Sequence, residues 1–366
     1  MERVLVRKVN NLSADVNDSL DFLEYDFAGK RIWVKPNLLS PHPPEHSVTT
    51  DPEIIRHVVR GLRARGAKDI WVADNPGGGL QRNVSSYIAP TGVVEASDGC
   101  FRGISETPVS ISTKSRFLSE FTVSRIVTEV DVMLNLPVFK THALTLLTGA
   151  IKNLFGIIPG AQKSYLHTIV KSPYEFAELL VDIYQSVPVP VLTVMDALRG
   201  MDGQNGPSGG RVLKLGTILA ARNPVALDSV MAMMTGVRPT AIPTTRIASE
   251  RGLGPADPAG IDITGDFAVI PGFKLPSTRV ATMAAGVAGS AVYRLLQRRP
   301  LRNKGICTRC RRCADNCPVT AIAMSPYPVI DRKKCIMCYC CAELCPEKAM
   351  TVPGPLRGLI QNITGR

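Results

Sequence analysis

Residues 307–318 read CTRCRRCADNCP, and residues 335–346 read CIMCYCCAELCP. Both stretches have the spacing C-x2-C-x2-C-x3-C-P, and the second begins 28 residues after the first. The same offset carries Ala321 onto Ala349, so the two stretches form an internal repeat. This repeat decides the fold that we expect for the C-terminal part of the chain.

Cysteines at these spacings are typical ligands of iron–sulfur clusters, and in two-cluster proteins the fourth cysteine of each motif binds the other cluster. Zinc is the alternative, but zinc sites use paired C-x2-C units and seldom need a third cysteine at the same spacing. We therefore predict two [4Fe-4S] clusters. The first would use Cys307, Cys310, Cys313 and Cys345, and the second Cys335, Cys338, Cys341 and Cys317.

The C-terminal part closely resembles the bacterial-type ferredoxin family with two [4Fe-4S] clusters, over roughly residues 305–352. The resemblance implies a small α+β domain that transfers electrons, with short strands at 321–324, 329–330 and 349–352; a purely structural role is the alternative. Cys340 breaks the repeat, because its counterpart is Arg312, and we expect it to be a spare thiol.

Positive charge is concentrated near the clusters. From Arg294 onward there are 14 Lys and Arg against 4 Asp and Glu, whereas the rest of the chain is nearly neutral. This asymmetry favours an acidic electron donor or acceptor, such as a small ferredoxin or flavodoxin. Alternatively, the arginines bind the clusters themselves. Nucleic acid is less favoured, since few aromatic residues accompany the positive charges.

Composition excludes several classes of protein. With 366 residues, 45% hydrophobic and 20% charged, the chain is too apolar to be mainly disordered and long enough for two domains. Nine of the ten cysteines lie between Cys307 and Cys345, and the first residues show no signal-peptide pattern, so we expect reduced thiols and a cytoplasmic location. The longest apolar stretch, residues 281–292, is too short to span a membrane.

The preceding part of the chain alternates between strand and helix patterns. Residues 31–36 and 69–74 read as strands, and the helix between them begins at Pro52 with one apolar face. Such a unit is typical of a parallel sheet. Further strands are expected at 131–137, 190–196 and 215–221, and helices at 175–184, 224–234 and 278–296.

These patterns predict an α/β domain, with a mostly parallel sheet and flanking helices, over residues 1–293. A basic linker over residues 294–304 would join it to the ferredoxin-type domain over residues 305–366.

Polar residues follow several of these strands. Ligands bind at the carboxyl ends of parallel strands, so these residues predict a site in one crevice, although each has an ordinary structural explanation by itself. The helix that we expect to begin within residues 148–156 adds a lysine and an asparagine. The candidates for substrate binding are Lys35, Asn37, Asp74, Lys152 and Asn153, and those for catalysis are Lys140 and His142.

The same part resembles the family called domain of unknown function 362, over about residues 1–250. The resemblance rests on KPNL at 35–38, TDP at 50–52, KTH at 140–142, TGAIKNLFG at 148–156, and the Gly-Pro at 206–207. It implies an iron–sulfur protein of anaerobic or redox metabolism, and it assigns no reaction.

We expect a cytosolic oxidoreductase that passes low-potential electrons through the two clusters to a small substrate in the α/β domain. Lys35, Lys140 and Lys152 would bind an anionic group, and His142 would supply a proton. The alternative is a non-catalytic electron carrier whose α/β domain docks a partner enzyme.

Overall fold

The computed structural model describes residues 1–77, 84–103, 108–278, 298–354 and 360. We call residues 1–278 the body and residues 298–354 the C-terminal module. Nine strands form the central sheet of the body, and β4 (Pro108–Ser112) and β5 (Glu120–Ser124) pair separately. The nine are β1 (Glu2–Lys8), β2 (Arg31–Pro36), β3 (Asp69–Val72), β6 (Val132–Leu136), β7 (Val138–His142), β8 (Leu146–Thr148), β9 (Val191–Asp202), β10 (Arg211–Ala221) and β11 (Ile261–Gly265).

The strand order is β11-β1-β10-β9-β6-β2-β3, with β7 paired to both β9 and β8. Pairing is parallel between β2 and its neighbours β3 and β6, between β9 and both β6 and β7, and between β1 and β11. The expected mostly parallel sheet is thus confirmed for its centre. Strand β10 is antiparallel to β9, because the short connection between them leaves no room for a crossover helix, and it is also antiparallel to β1.

Helices cover both faces of this sheet, and those expected at 175–184 and 224–234 are confirmed. The one expected at 278–296 lies almost entirely outside the described residues. The helices are α1 (Leu12–Phe22), α2 (Pro52–Ala64), α3 (Val84–Ile88), α4 (Val93–Ala96), α5 (Ala150–Asn153), α6 (Gly160–Ile169), α7 (Pro173–Gln185), α8 (Pro224–Met234) and α9 (Pro243–Glu250).

The alternation of side chains along β2 explains the layers. Ile32 and Val34 join the apolar faces of α1 and α2 in one buried cluster, whereas Trp33 joins the cluster of α7 on the opposite face. Asp51 caps α2 by accepting a hydrogen bond of 2.9 Å from the amide of Glu53, and Pro52 occupies its first turn. Local sequence therefore determines where this helix begins.

The repeat of the C-terminal module extends to its backbone. Short helices at Arg312–Asp315 and Cys340–Glu343 are 28 residues apart, like the cysteines. Left-handed backbone conformations recur at the same offset, as in the pair Arg311 and Tyr339. Two small antiparallel pairs complete the module: β12 (Leu301–Arg302) with β15 (Met350–Thr351), and β13 (Ile322–Ser325) with β14 (Tyr327–Ile330).

The C-terminal module shares a hydrophobic core with the body. Met337, Tyr339 and Val352 belong to the same buried cluster as Phe176 of α7. The hydroxyl of Tyr339 donates a hydrogen bond of 2.9 Å to the carbonyl of Arg298, which itself is buried. We expected residues 294–304 to form a linker. The described part of this stretch, residues 298–304, instead contains a buried arginine and strand β12.

Candidate functional site

A cavity of about 90 Å³ lies where the C-terminal module meets the body. Its walls combine polar side chains from β7, α5 and α6 of the body with residues of the short helix Cys340–Glu343. The polar and thiol-bearing side chains that line it include Asn37, Asp74, Asn75, His142, Thr148, Lys152, Asn153, Lys163, His167, Cys340 and Glu343.

Lys35 and Asp74 form a buried ion pair at the edge of the cavity. The Nζ atom of Lys35 lies 2.8 Å from Oδ1 of Asp74, and their side chains are 0% and 3% exposed. A side chain at Gly156 would overlap both charged groups, which is why the chain needs glycine there. The positive charge of Lys35 is therefore neutralised by its neighbour.

Lys140 does not line the cavity. Its Nζ atom donates a hydrogen bond of 2.5 Å to the carbonyl of Val48, and burial lowers its pKa to about 7. We expected Lys140 to follow the end of a strand, but it lies inside β7, which pairs with β9. The reason is that β9 continues to Asp202 along β7 and β10.

His142 faces the cavity from the end of β7 and contacts the C-terminal module. Its Nδ1 atom accepts hydrogen bonds of 3.1 Å and 3.2 Å from the amides of Leu144 and Thr145. The neutral ring therefore carries its hydrogen on Nε2, which lies 2.9 Å from Oε1 of Glu343. Burial lowers the pKa of His142 to about 4, so the ring is neutral near pH 7.

Two lysines line the cavity, and they differ in their partners. Lys163 donates hydrogen bonds to the backbone carbonyls of Asn75 and Pro76. Lys152 has neither a hydrogen bond nor an ion pair with any other residue that the structure describes. Burial lowers its pKa, and the nearby Glu343 and Cys340 oppose that effect. Lys152 thus lines the cavity with its amino group free of partners among the described residues.

Four buried polar atoms at the cavity lack both a hydrogen bond and an ion pair among the described residues. They are Oδ1 of Asn37, Oγ1 of Thr148, Oδ1 of Asn153 and Nδ1 of His167, and the last three belong to residues that are at most 8% exposed. The ring of His167 stacks on Phe176 at 4.6 Å, and burial lowers its pKa to about 4. Buried polar groups normally have hydrogen-bond partners, so this set indicates a polar ligand or ordered water.

The eight cysteines of the two motifs surround two smaller voids. Cys307, Cys310, Cys313 and Cys345 line one of them. The other is lined by Cys317, Cys335, Cys338 and Cys341. Each void thus combines three cysteines of one motif with the fourth cysteine of the other. Cys340 lines neither void.

Several of the predicted residues lie together, and others at the cavity were not predicted. The predicted residues that line the cavity are Asn37, Asp74, His142, Lys152 and Asn153. Lys35 does not line it but is paired with Asp74, which does, and Lys140 lies outside it. Among the residues that we did not predict are Thr148, Lys163, His167, Cys340 and Glu343. Of these residues, Cys340 could have been singled out from the sequence, because it breaks the cysteine repeat.

No helix among the described residues is long and apolar enough to cross a membrane.

Comparisons with known proteins find several that are similar to this chain. A thylakoid-associated protein of Synechocystis sp. is 31% identical over 231 residues, which cover 62% of this chain and 70% of the relative. Two solved structures are more distant. A protein from Thermotoga maritima has 12% identity and a TM-score of 0.36, over 58% of this chain and 56% of its own. The lactate racemase apoprotein from Thermoanaerobacterium thermosaccharolyticum has 15% identity and a TM-score of 0.41, over 65% and 58%.

The chain therefore spans little more than half of these two solved proteins. A family model described as "Domain of unknown function (DUF362)" matches residues 32–233, which is more than half of the chain. The chain belongs to this family.

Proposed function

We propose that this protein is a reductase that acts on a small anionic substrate in the cavity, with electrons supplied through two [4Fe-4S] clusters in the C-terminal module. The observation that carries the proposal is the shared wall of the cavity. Cys340 and Glu343 of the C-terminal module face the same space as His142 and Lys152 of the body. Cys341, which directly follows Cys340, lines the second four-cysteine void.

The two cysteine sets have the composition that such clusters need. Each void is lined by four thiols, the number of ligands of a [4Fe-4S] cluster, and each set crosses between the motifs as the repeat predicts. The amides of Ala321 and Ala349 lie 3.2 Å from the sulfurs of Cys317 and Cys345, where they would donate to bound thiolates. When bound, the clusters supply single electrons at low potential.

A single zinc ion fits these cysteines less well. Zinc holds its thiolate ligands about 2.3 Å from one point, which requires the sulfurs to converge. Within the described residues, no three His, Cys, Asp or Glu side chains are gathered closely enough to hold one metal ion. Cysteines arranged around a void rather than a point support a cluster.

The charges at the cavity support an anionic substrate. Lys35 is paired with Asp74, and Lys163 donates to backbone carbonyls. Lys152 is therefore the lysine whose ammonium group is left for the substrate. The cavity is smaller than the 150 Å³ site that encloses benzene in a protein core, so the enclosed part of the substrate has roughly six or fewer non-hydrogen atoms.

The geometry favours Lys152 over His142 as the proton donor. Both ring nitrogens of His142 face protein groups, and the low pKa of the ring makes it a poor acid near pH 7. Burial lowers the pKa of Lys152, and an ammonium group with a lowered pKa gives up its proton more readily. We assign to His142 the positioning of Glu343 instead.

The proposal can be tested with small 2-oxoacids, because reduction of their carbonyl group to a hydroxyl group consumes two electrons and two protons. Anaerobically prepared, reduced protein would be mixed with glyoxylate or pyruvate, and both reoxidation and product would be measured. The expected result is stoichiometric hydroxyacid from the unaltered protein and at least a tenfold slower reaction for Lys152→Ala.

The carrier alternative makes the opposite prediction. A non-catalytic carrier would be reoxidised by an acidic protein such as a flavodoxin, at the same rate with and without Lys152→Ala. Reoxidation by the flavodoxin alone, with neither 2-oxoacid consumed, would therefore contradict reduction of these anions and favour the carrier.

A further inference from the structure

The side-chain amide of Asn153 is held by a chain of hydrogen bonds behind the cavity. Nδ2 of Asn135 donates a hydrogen bond of 3.0 Å to the carbonyl of Ala150, and a carbonyl can only accept. Oδ1 of Asn135 therefore faces the other way, where it accepts a hydrogen bond of 2.8 Å from Nδ2 of Asn153. These partners fix the orientation of both amides, because turning either one over would bring two acceptors together.

The remaining polar atom of this amide, Oδ1 of Asn153, has no partner among the described residues, although the residue is only 3% exposed and lines the cavity. The unpartnered hydroxyl of Thr148 and ring of His167 can each donate or accept a hydrogen bond, whereas an amide oxygen can only accept. Asn37 contributes a second such oxygen at the same cavity. A carboxylate has no hydrogen to donate, so an anionic group alone does not satisfy these oxygens.

The ligand therefore needs a hydrogen-bond donor in addition to its anionic group. When no ligand is bound, water can donate to a buried acceptor, and a ligand that displaces this water without donating loses affinity.

A hydroxyl group suits this position better than an ammonium group. Lys152 directly precedes Asn153, and both Lys152 and Lys163 line the cavity, so a further positive charge there would be repelled. The carboxylates of Asp74 and Glu343 already have protein partners. A neutral donor avoids the repulsion.

We propose that Asn153 is a specificity-determining residue that accepts a hydrogen bond from the hydroxyl group of a small hydroxyacid in the cavity. The inference rests on the proposed function, because reduction of a 2-oxoacid is the reaction that produces this hydroxyl group. Asn153 then selects a hydroxyacid over an acid of similar size that lacks the hydroxyl group.

Binding of glycolate and acetate to the unaltered full-length protein tests the proposal. The two carboxylates differ by one hydroxyl group, and both are small enough for a cavity of about 90 Å³. In anaerobic calorimetric titrations, glycolate should bind at least tenfold more tightly than acetate. Equal dissociation constants, or binding of neither acid, would overturn the inference. This comparison needs no variant, so misfolding cannot explain its result.

Glycine tests the kind of donor, because it carries an ammonium group in place of the hydroxyl group of glycolate. It should bind at least fivefold more weakly than glycolate. Tighter binding of glycine than of glycolate would show that the cavity selects an ammonium group, and the assignment of a hydroxyl group would be wrong.

Variants assign the preference to Asn153. Asn153→Ala should reduce the preference for glycolate over acetate to less than about twofold. The control is Asn223→Ala, which removes an asparagine that caps α8 by accepting hydrogen bonds from the amides of Val225 and Ala226. It should destabilise the protein and keep the full preference. A tenfold preference retained in Asn153→Ala would overturn the role of this residue.

The binding measurements are independent of electron transfer, so failure of the inference and failure of the proposed function can be distinguished. A protein that reduces glyoxylate without preferring glycolate to acetate would contradict the contact with Asn153 alone. A protein that prefers glycolate but does not reduce glyoxylate would support the contact and contradict the proposed function.

Discussion

The Nε2 atom of His142 lies 2.9 Å from Oε1 of Glu343, and this contact joins the last residue of β7 to the short helix of the C-terminal module. Burial opposes ionisation of Glu343, but His142 and Lys152 outweigh it and hold its pKa at about 2. The carboxylate is thus charged near pH 7, beside the neutral ring of His142. The contact ties the two parts of the protein together at the site itself.

A double-mutant cycle should detect this coupling. His142→Ala and Glu343→Ala should each destabilise the protein, and the double variant should lose about 1–3 kcal/mol less than their sum, because the residues are in contact. Unfolding by urea, measured anaerobically, provides the free energies. Glu343→Gln, which keeps the shape and an acceptor, is the control and should be milder than Glu343→Ala. Additive effects would contradict an energetic coupling.

The crossed ligand sets can be tested by counting iron. Cys317→Ala and Cys338→Ala should each lower the content from about eight to about four atoms, and the double variant should keep about four, because both residues serve the same cluster. Cys310→Ala combined with Cys317→Ala should lose nearly all iron. If that second pair retains about four atoms, each motif binds its own cluster and the crossing is wrong.

Substitution of Gly156 should destabilise the body. The added methyl group of Gly156→Ala overlaps the carboxylate of Asp74 and the ammonium group of Lys35, so we expect a loss of about 3 kcal/mol. Urea unfolding measures it. Gly103→Ala is the matched control, since a Cβ atom there meets nothing within 4 Å, and its effect should stay within about 0.5 kcal/mol. Equal effects at the two positions would contradict this account.

His167 should make stability depend on pH. Its pKa is about 4 in the folded protein against 6.5 for the free side chain, so the unfolded chain binds more protons between these values. Its contribution is therefore complete above pH 6.5 and declines as the pH falls, by up to about 2 kcal/mol at about pH 5. His167→Phe keeps a ring against Phe176 and cannot titrate.

Thermal unfolding of both proteins between about pH 5 and pH 7.5 tests this, because the difference between the two curves removes the contributions of all other groups. The groups that act on His167 are Glu343, Lys152, His142 and Lys163, and all four are present in both proteins. Parallel curves would show that His167 does not titrate in this range on unfolding.

Much of the arrangement around the cavity could be anticipated from local patterns. A capped, one-sided helix between two apolar strands predicts a β-α-β unit, and the ends of such strands lie side by side. Asn37 and Asp74 were therefore expected near each other, and both line the cavity. Lys140, in contrast, does not line the cavity. The register between β7 and β9 shifts after Val138, and the side chain of Lys140 donates to the carbonyl of Val48 instead.

The sequence by itself determined the two cysteine sets and the α/β character of the body, because spacing and periodicity are local properties of the chain. Only the tertiary structure decided that Glu343 faces His142 and that Cys340 lines the cavity with Lys152. Glu343 lies 201 positions after His142 and Cys340 lies 188 positions after Lys152, and nothing in their local sequence specifies these contacts. They arise because Tyr339 and Met337 of the C-terminal module bury themselves in the hydrophobic core of the body, and that packing brings the short helix to the cavity.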